Sequence, residues 1–178
     1  MEGGENMRKT IPILLLVFFT LFFFSMSFAQ VKKAPAKGEE HHHLLTVSLK
    51  NASEHAKALA HYATVNKVLD KKIANEHGDA IGKYLDAAKN HLTAIEGQMT
   101  AEQKTSVEKN LSDLDSALAG ADMHYTELKA ELAKETLDPA MIKAHSTSVY
   151  TELQKAIAAH KAMMTKHGVQ EAKEPKGY

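Results

Sequence analysis

Eleven histidines and no cysteine set the chemistry open to this chain. Imidazole nitrogen titrates near neutral pH and binds copper, nickel, zinc and haem iron. The densest groups lie far apart in sequence. One is the run His41-His42-His43. The other is His160-Lys161-Ala162-Met163-Met164-Thr165-Lys166-His167. In the second, steps of three and four put His160 with Met163 and Met164, and both methionines with His167, on one helical face. Thioether beside imidazole is a donor set that copper accepts, with Met favouring Cu(I), while histidine alone suits zinc or nickel equally well. Paired His and Met ligands also suit a non-covalent b-type haem. His55, His61, His91 and His124 are secondary candidates. Against these stands the plain structural reading, in which Met fills a helical core and the three-histidine run is solvated.

Residue types exclude other chemistries. Without cysteine there is no covalent haem, iron–sulfur cluster or thiolate zinc site. A carboxylate di-iron bundle needs Glu-x-x-His on two helices, and only Glu40 to His43 has that spacing. No Gly-rich phosphate loop, Gly-x-Ser-x-Gly or His-Glu-x-x-His occurs. The expectation is a protein that binds a transition metal (copper, nickel or zinc) for buffering, carriage or sensing, and is not an enzyme. The alternatives are a haem b bundle and a ligand-free structural or partner-binding envelope protein.

The elements that must position these side chains follow an export signal. Arg8 and Lys9 precede an apolar run from Ile11 to Phe28, which ends in the small-x-small pattern Ser27-Phe28-Ala29 before Gln30. That is the layout of a cleavable secretory signal peptide over residues 1–29, and it implies a periplasmic or secreted location, with an uncleaved membrane anchor as the alternative because the run is near the length that spans a bilayer. Cleavage would leave no stable membrane anchor, and no cysteine is present to carry a lipid. It would also remove all six phenylalanines, with two of the 22 basic and two of the 22 acidic side chains. The formal net charge stays zero, which gives no reason to expect nucleic acid as a partner. A core without Phe or Trp buries less apolar area, so stability should be modest unless a ligand, a homodimer or a helical partner adds to it.

Residues 30–41 read as a flexible leader and 169–178 as a disordered tail. Between them the composition of Ala, Leu, Lys, Glu and His is helical. Thr100 and Gln103 form a capping-box pair, and Val107, Leu111, Leu114, Leu118, Ala121, Tyr125, Leu128 and Leu132 follow in steps of four and three. Asp138-Pro139 starts the last helix and Gly168 ends it. A short internal repeat matches His61-Tyr62 to His124-Tyr125 and Lys71 to Lys134. Asn66, the Lys71–Asn75 region and Gly78-Asp79 are all candidate boundaries between the first two helices, and the repeat, read as a duplicated helical hairpin, favours an end near Lys72 with Asn75 as the next cap. The expected helices are 42–72, 76–98, 101–135 and 139–167. Short loops make neighbours antiparallel, giving an all-α, up-down-up-down four-helix bundle with coiled-coil-like seams over residues 42–168. In that arrangement Tyr62, Tyr84, Tyr125 and Tyr150 share one level. The other end gathers His41–His43, His160, Met163, Met164 and His167, with Met99 nearby.

Overall fold

The computed structural model describes residues 37–169. The signal segment, most of the leader and the tail after Val169 lie outside the described residues. Four helices occupy the rest: α1 (Lys37–Val65), α2 (Lys71–Gln98), α3 (Ala101–Ala133) and α4 (Pro139–His167). No strand occurs among the described residues, and no helix there is long and apolar enough to cross a membrane.

The helices pack as a four-helix bundle because each carries one stripe of apolar residues in alternating steps of three and four. On α1 the buried stripe is Leu45, Leu49, Ala52, Ala56, Leu59 and Ala63, and on α2 it is Ile81, Leu85, Ala88, Leu92 and Ile95. Leu114, Leu118, Ala121, Leu128 and Leu132 serve α3, and Ile142, Val149, Leu153, Ala156 and Met163 serve α4. Each helix packs on its two ring neighbours, while α1 with α3 and α2 with α4 face across the diagonals. Many stripe positions are Ala, which lets helix axes approach closely.

The first connection and the start of α1 differ from the expectation. Helix α1 stops at Val65, one heptad before Lys72, because Asn66 closes it. The Asn66 side-chain amide donates to the Tyr62 carbonyl at 2.9 Å, and its backbone N–H donates to the same oxygen at 3.2 Å. The Tyr62 hydroxyl then accepts the backbone N–H of Asp70 at 2.8 Å, which fixes the turn. Asp70, not Asn75, caps α2, accepting from the N–H groups of Lys72 and Ile73 at 2.8 and 3.2 Å. The two hairpins do resemble each other, but in another alignment. Leu69-Asp70 matches Leu137-Asp138, a buried leucine before an aspartate cap each time. The His61/His124 alignment is therefore out of phase. At the start, α1 is already helical from Lys37, so the last residues of the expected leader belong to it; Glu39 and Glu40 in its first turn suit the positive end of the helix dipole.

The remaining ends are satisfied locally. Thr100 and Gln103 form the reciprocal capping box. Lys71, at the start of α2, donates to the Lys134 carbonyl at 2.7 Å and so covers the C-terminus of α3. Gly168 closes α4 in the left-handed conformation with φ 68.

Helices α2 and α3 approach least closely of the four neighbouring pairs. Large side chains fill that seam by lying on glycine: Leu132 sits over Gly78, and the Tyr125 hydroxyl over Gly82. A β-carbon at Gly82 would collide with Tyr125, whereas one at Gly97 meets nothing within 4 Å. Opposite outcomes follow for one substitution. Gly82→Ala should destabilise by about 1–2 kcal/mol, because overpacking outweighs the helix propensity gained. Gly97→Ala should stabilise by about 0.5–1 kcal/mol. Urea denaturation of the two variants checks both signs.

Candidate functional site

The seam of α1, continued back three residues from Leu45, lands on His42. The seam of α4 runs through His160 and Met163 to His167. These positions meet at one end of the bundle. His42 is 4% and His160 2% exposed, so both rings sit where a leucine would otherwise close the core. The His42 Nδ1 lies 3.0 Å from the His160 Nε2, with the rings nearly parallel. Thr46 Oγ1 donates to the His42 carbonyl at 3.0 Å and lies 3.3 Å from the His160 Nδ1. His167 stands edge-on to His42, with ring centroids 6.1 Å apart, and its Nε2 is buried without a hydrogen-bond partner. Met163 and Met164 are buried on the same face of α4. A void of about 160 Å³ opens beside His42 and His167, lined also by Met99, Ile95 and Gln103, with Glu39 among its walls.

The other candidates take different places. His41 turns from the end cluster toward α2, where its Nδ1 lies 3.4 Å from the Nδ1 of His91. His43 and His61 are exposed. His55 meets His77, Nδ1 to Nδ1, at 3.1 Å, and stacks on Tyr84. His124 lies with Glu127 and His145 between α3 and α4. The four tyrosines do not share a level: Tyr62 reaches the α1–α2 turn at Asp70, while Tyr84 lies against His55, a turn or more from it. The misplaced end of the first helix caused this, since a seven-residue error at a turn displaces every cross-hairpin partner.

Sequence reasoning missed His77, Glu127 and His145. The signal that would have found them is mirror symmetry about the turns. His41 with His91, His55 with His77 and Tyr62 with Asp70 are each symmetric about residue 66. Glu127 with His145 and Ser106 with Lys166 are symmetric about residue 136.

Burial dominates the electrostatics of these rings. It lowers His160 from the ordinary 6.5 to about 3, with the neighbouring His42 adding to the effect. His42 is lowered to about 4 by burial, then by His167 and His41. His77 is lowered by burial and then by His55, and His91 by burial and then by His41. His42 and His160 are thus neutral nitrogen donors at neutral pH, and no carboxylate among the described residues is hydrogen-bonded to either ring. Where two imidazoles face one another nitrogen to nitrogen, one N–H···N bond satisfies both, or one ion does. Zinc–nitrogen bonds of 2.0–2.1 Å in tetrahedral geometry put ligand nitrogens about 3.3–3.4 Å apart, so observed spacings of 3.0–3.4 Å are close to ligating distance.

Compared with known proteins, the chain matches no family model, no curated protein sequence and no solved structure.

The depressed values of His42 and His160 fix a sign for acid stability. The unfolded chain takes up protons as pH falls below 6.5, and the fold does not until about 4 and 3. Stability is therefore lost from pH 6.5 downward, at up to about 1.4 kcal/mol per pH unit for each such histidine. Urea denaturation between pH 7 and 4 should give a shallower slope for His160→Leu than for the parent protein. Equal slopes would show that His160 takes up its proton in the fold as easily as in the unfolded chain.

Proposed function

We propose that this protein is an exported, non-enzymatic histidine-rich bundle that binds transition-metal ions and serves to buffer, carry or sense them. The observation that carries the reading is the meeting of imidazole nitrogens from different helices at 3.0–3.4 Å in three places, His41/His91, His42/His160 and His55/His77. A bundle that needed only a core would fill such positions with apolar residues, since a buried polar pair adds little net stability.

The end cluster is the leading site. His42, His160 and His167 supply nitrogen, and Met163, Met164 and Met99 supply sulfur within the same end of the bundle. Its buried donors carry no charge, so a monovalent ion costs less to bury there than a divalent one. Neutral nitrogen and thioether donors favour Cu(I) by softness as well. The void of about 160 Å³ argues for an ion over haem, because pockets for organic ligands run from about 300 to 1,000 Å³. Export rests on the basic, apolar and small-x-small segments before Gln30.

Calorimetric titration of the untagged protein with Cu(I) and with zinc should show at least one site tighter than micromolar. At a free ion concentration of about 100 times Kd, binding should add about 2.7 kcal/mol to stability. His160→Ala/His167→Ala, checked for helicity by circular dichroism, should weaken the tightest Cu(I) site at least tenfold. Undiminished affinity in that variant removes the end cluster from the proposal, and no binding by the parent protein favours a ligand-free structural bundle. For export, the mass of the protein recovered from a secreting host should correspond to a chain beginning at Gln30. A chain still beginning at Met1 contradicts cleavage.

A further inference from the structure

Among the described residues, one group of His, Asp and Glu side chains brings a ligand atom from each of three residues together, and it joins two helices away from the end cluster. His124 and Glu127 are three residues apart on α3 and share a face. His145 lies on α4, brought opposite Glu127 by the register that sets Gly120 against Glu152 and Ser106 against Lys166. A single carboxylate oxygen, Glu127 Oε2, lies 2.9 Å from the His124 Nδ1 and 3.1 Å from the His145 Nδ1. One ligand atom from each of the three residues lies within 4.8 Å of the other two.

We propose that His124, Glu127 and His145 form a second metal site, selective for a borderline divalent ion of the zinc, nickel or cobalt class. The assignment does not rest on the end cluster, and its chemistry differs. Two neutral imidazoles and one carboxylate carry a single negative charge, which partly neutralises a dication, and the three contacts include no sulfur to favour Cu(I). The side chains of His124, His145 and Glu127 are 26%, 17% and 46% exposed, so the ion keeps access to water and need not be fully desolvated. Three protein ligands with a position left for water is the usual composition of an open zinc site.

The geometry needs little adjustment. Ligand atoms about a tetrahedral ion stand about 3.3–3.4 Å apart, so the two contacts to Glu127 lengthen by a few tenths of an ångström. The ionised carboxylate only accepts, so the contacts to Glu127 put a proton on each Nδ1, and binding moves it to Nε2 and leaves the Nδ1 lone pair for the ion. The α3–α4 hairpin is thereby clamped near its turn, and this clamp lies in a different helix pair from the histidine pairs of α1 and α2.

The test uses Co(II) as a spectroscopic substitute for zinc, in the untagged protein with the end cluster disabled by His160→Ala/His167→Ala and the two α1–α2 pairs by His77→Ala/His91→Ala. Co(II) should give a visible ligand-field spectrum that saturates at one equivalent and is discharged by zinc but not by Cu(I). Adding Glu127→Gln, which keeps the hydrogen-bonding shape and removes the charge, should weaken cobalt binding at least tenfold. His145→Ala should abolish the spectrum. Circular dichroism identifies any variant that has lost its helices, and Glu127→Gln preserves the test if His145→Ala does so. If the carboxylate only ties α3 to α4, Glu127→Gln will lower the melting temperature and leave the cobalt titration unchanged. That result, or the absence of a cobalt spectrum before these substitutions, overturns the assignment. Cu(I) titration of Glu127→Gln with the end cluster intact reports separately on the other site.

Discussion

The bundle depends on the register of its two antiparallel hairpins. Each helix has a stripe of Leu, Ile, Val and Ala in steps of three and four, and such a stripe packs equally well after a slip of seven residues. The stripes alone therefore do not specify which residues face one another. The turns do. Asn66 and Asp70, tied through the Tyr62 carbonyl and hydroxyl, fix the first hairpin. Asp138 and Pro139 fix the second, with the Lys134 carbonyl held by Lys71 from the neighbouring helix. Once the turns are set, the pairs within each hairpin are set, because mirror positions about residues 66 and 136 come together, while His42 with His160 joins the two hairpins and follows from the topology.

This explains what was legible in the sequence. Element type and bundle topology follow from the stripes, the caps and the short connections, and the four helices match that reading. The capping box at Thr100 and the start and stop of α4 at Asp138 and Gly168 follow from side-chain chemistry visible within four residues. The end of α1 was less legible, with Asn66 only one of three candidate boundaries. Ala-Thr-Val-Asn-Lys-Val-Leu-Asp contains neither Gly nor Pro, and an Asn closes the helix there by a hydrogen bond to a carbonyl four residues back. A repeat that aligned His61-Tyr62 with His124-Tyr125 carried the helix one heptad too far. The buried pair Leu69-Asp70 and Leu137-Asp138 is the better guide, since a leucine before a cap is tied to the core and a surface histidine is not.

The candidate site was partly legible for a related reason. Convergence of His42, His160 and His167 needs only the topology, because all three lie at the ends of stripes, and an error at the α1–α2 turn does not move them. His55 with His77 depends on that turn and was lost with it. Glu127 with His145 depends on the other turn, which was placed correctly. It was missed because Glu127 reads as an ordinary charged residue on a solvated face.

Histidine at these positions has a cost that other polar residues would not carry. A neutral imidazole offers one donor and one acceptor, so two facing rings satisfy one nitrogen each and leave the outer nitrogens to find partners. At the end cluster His160 turns its Nδ1 to Thr46, whereas the Nε2 of His167 has no partner. Protonating either of the paired rings places a charge in the core next to a second imidazole, and burial makes that unfavourable. Acid therefore loosens the end of the bundle where α1 begins and α4 ends. A core poor in large side chains makes that loosening consequential, because little other packing energy holds those two helix ends together.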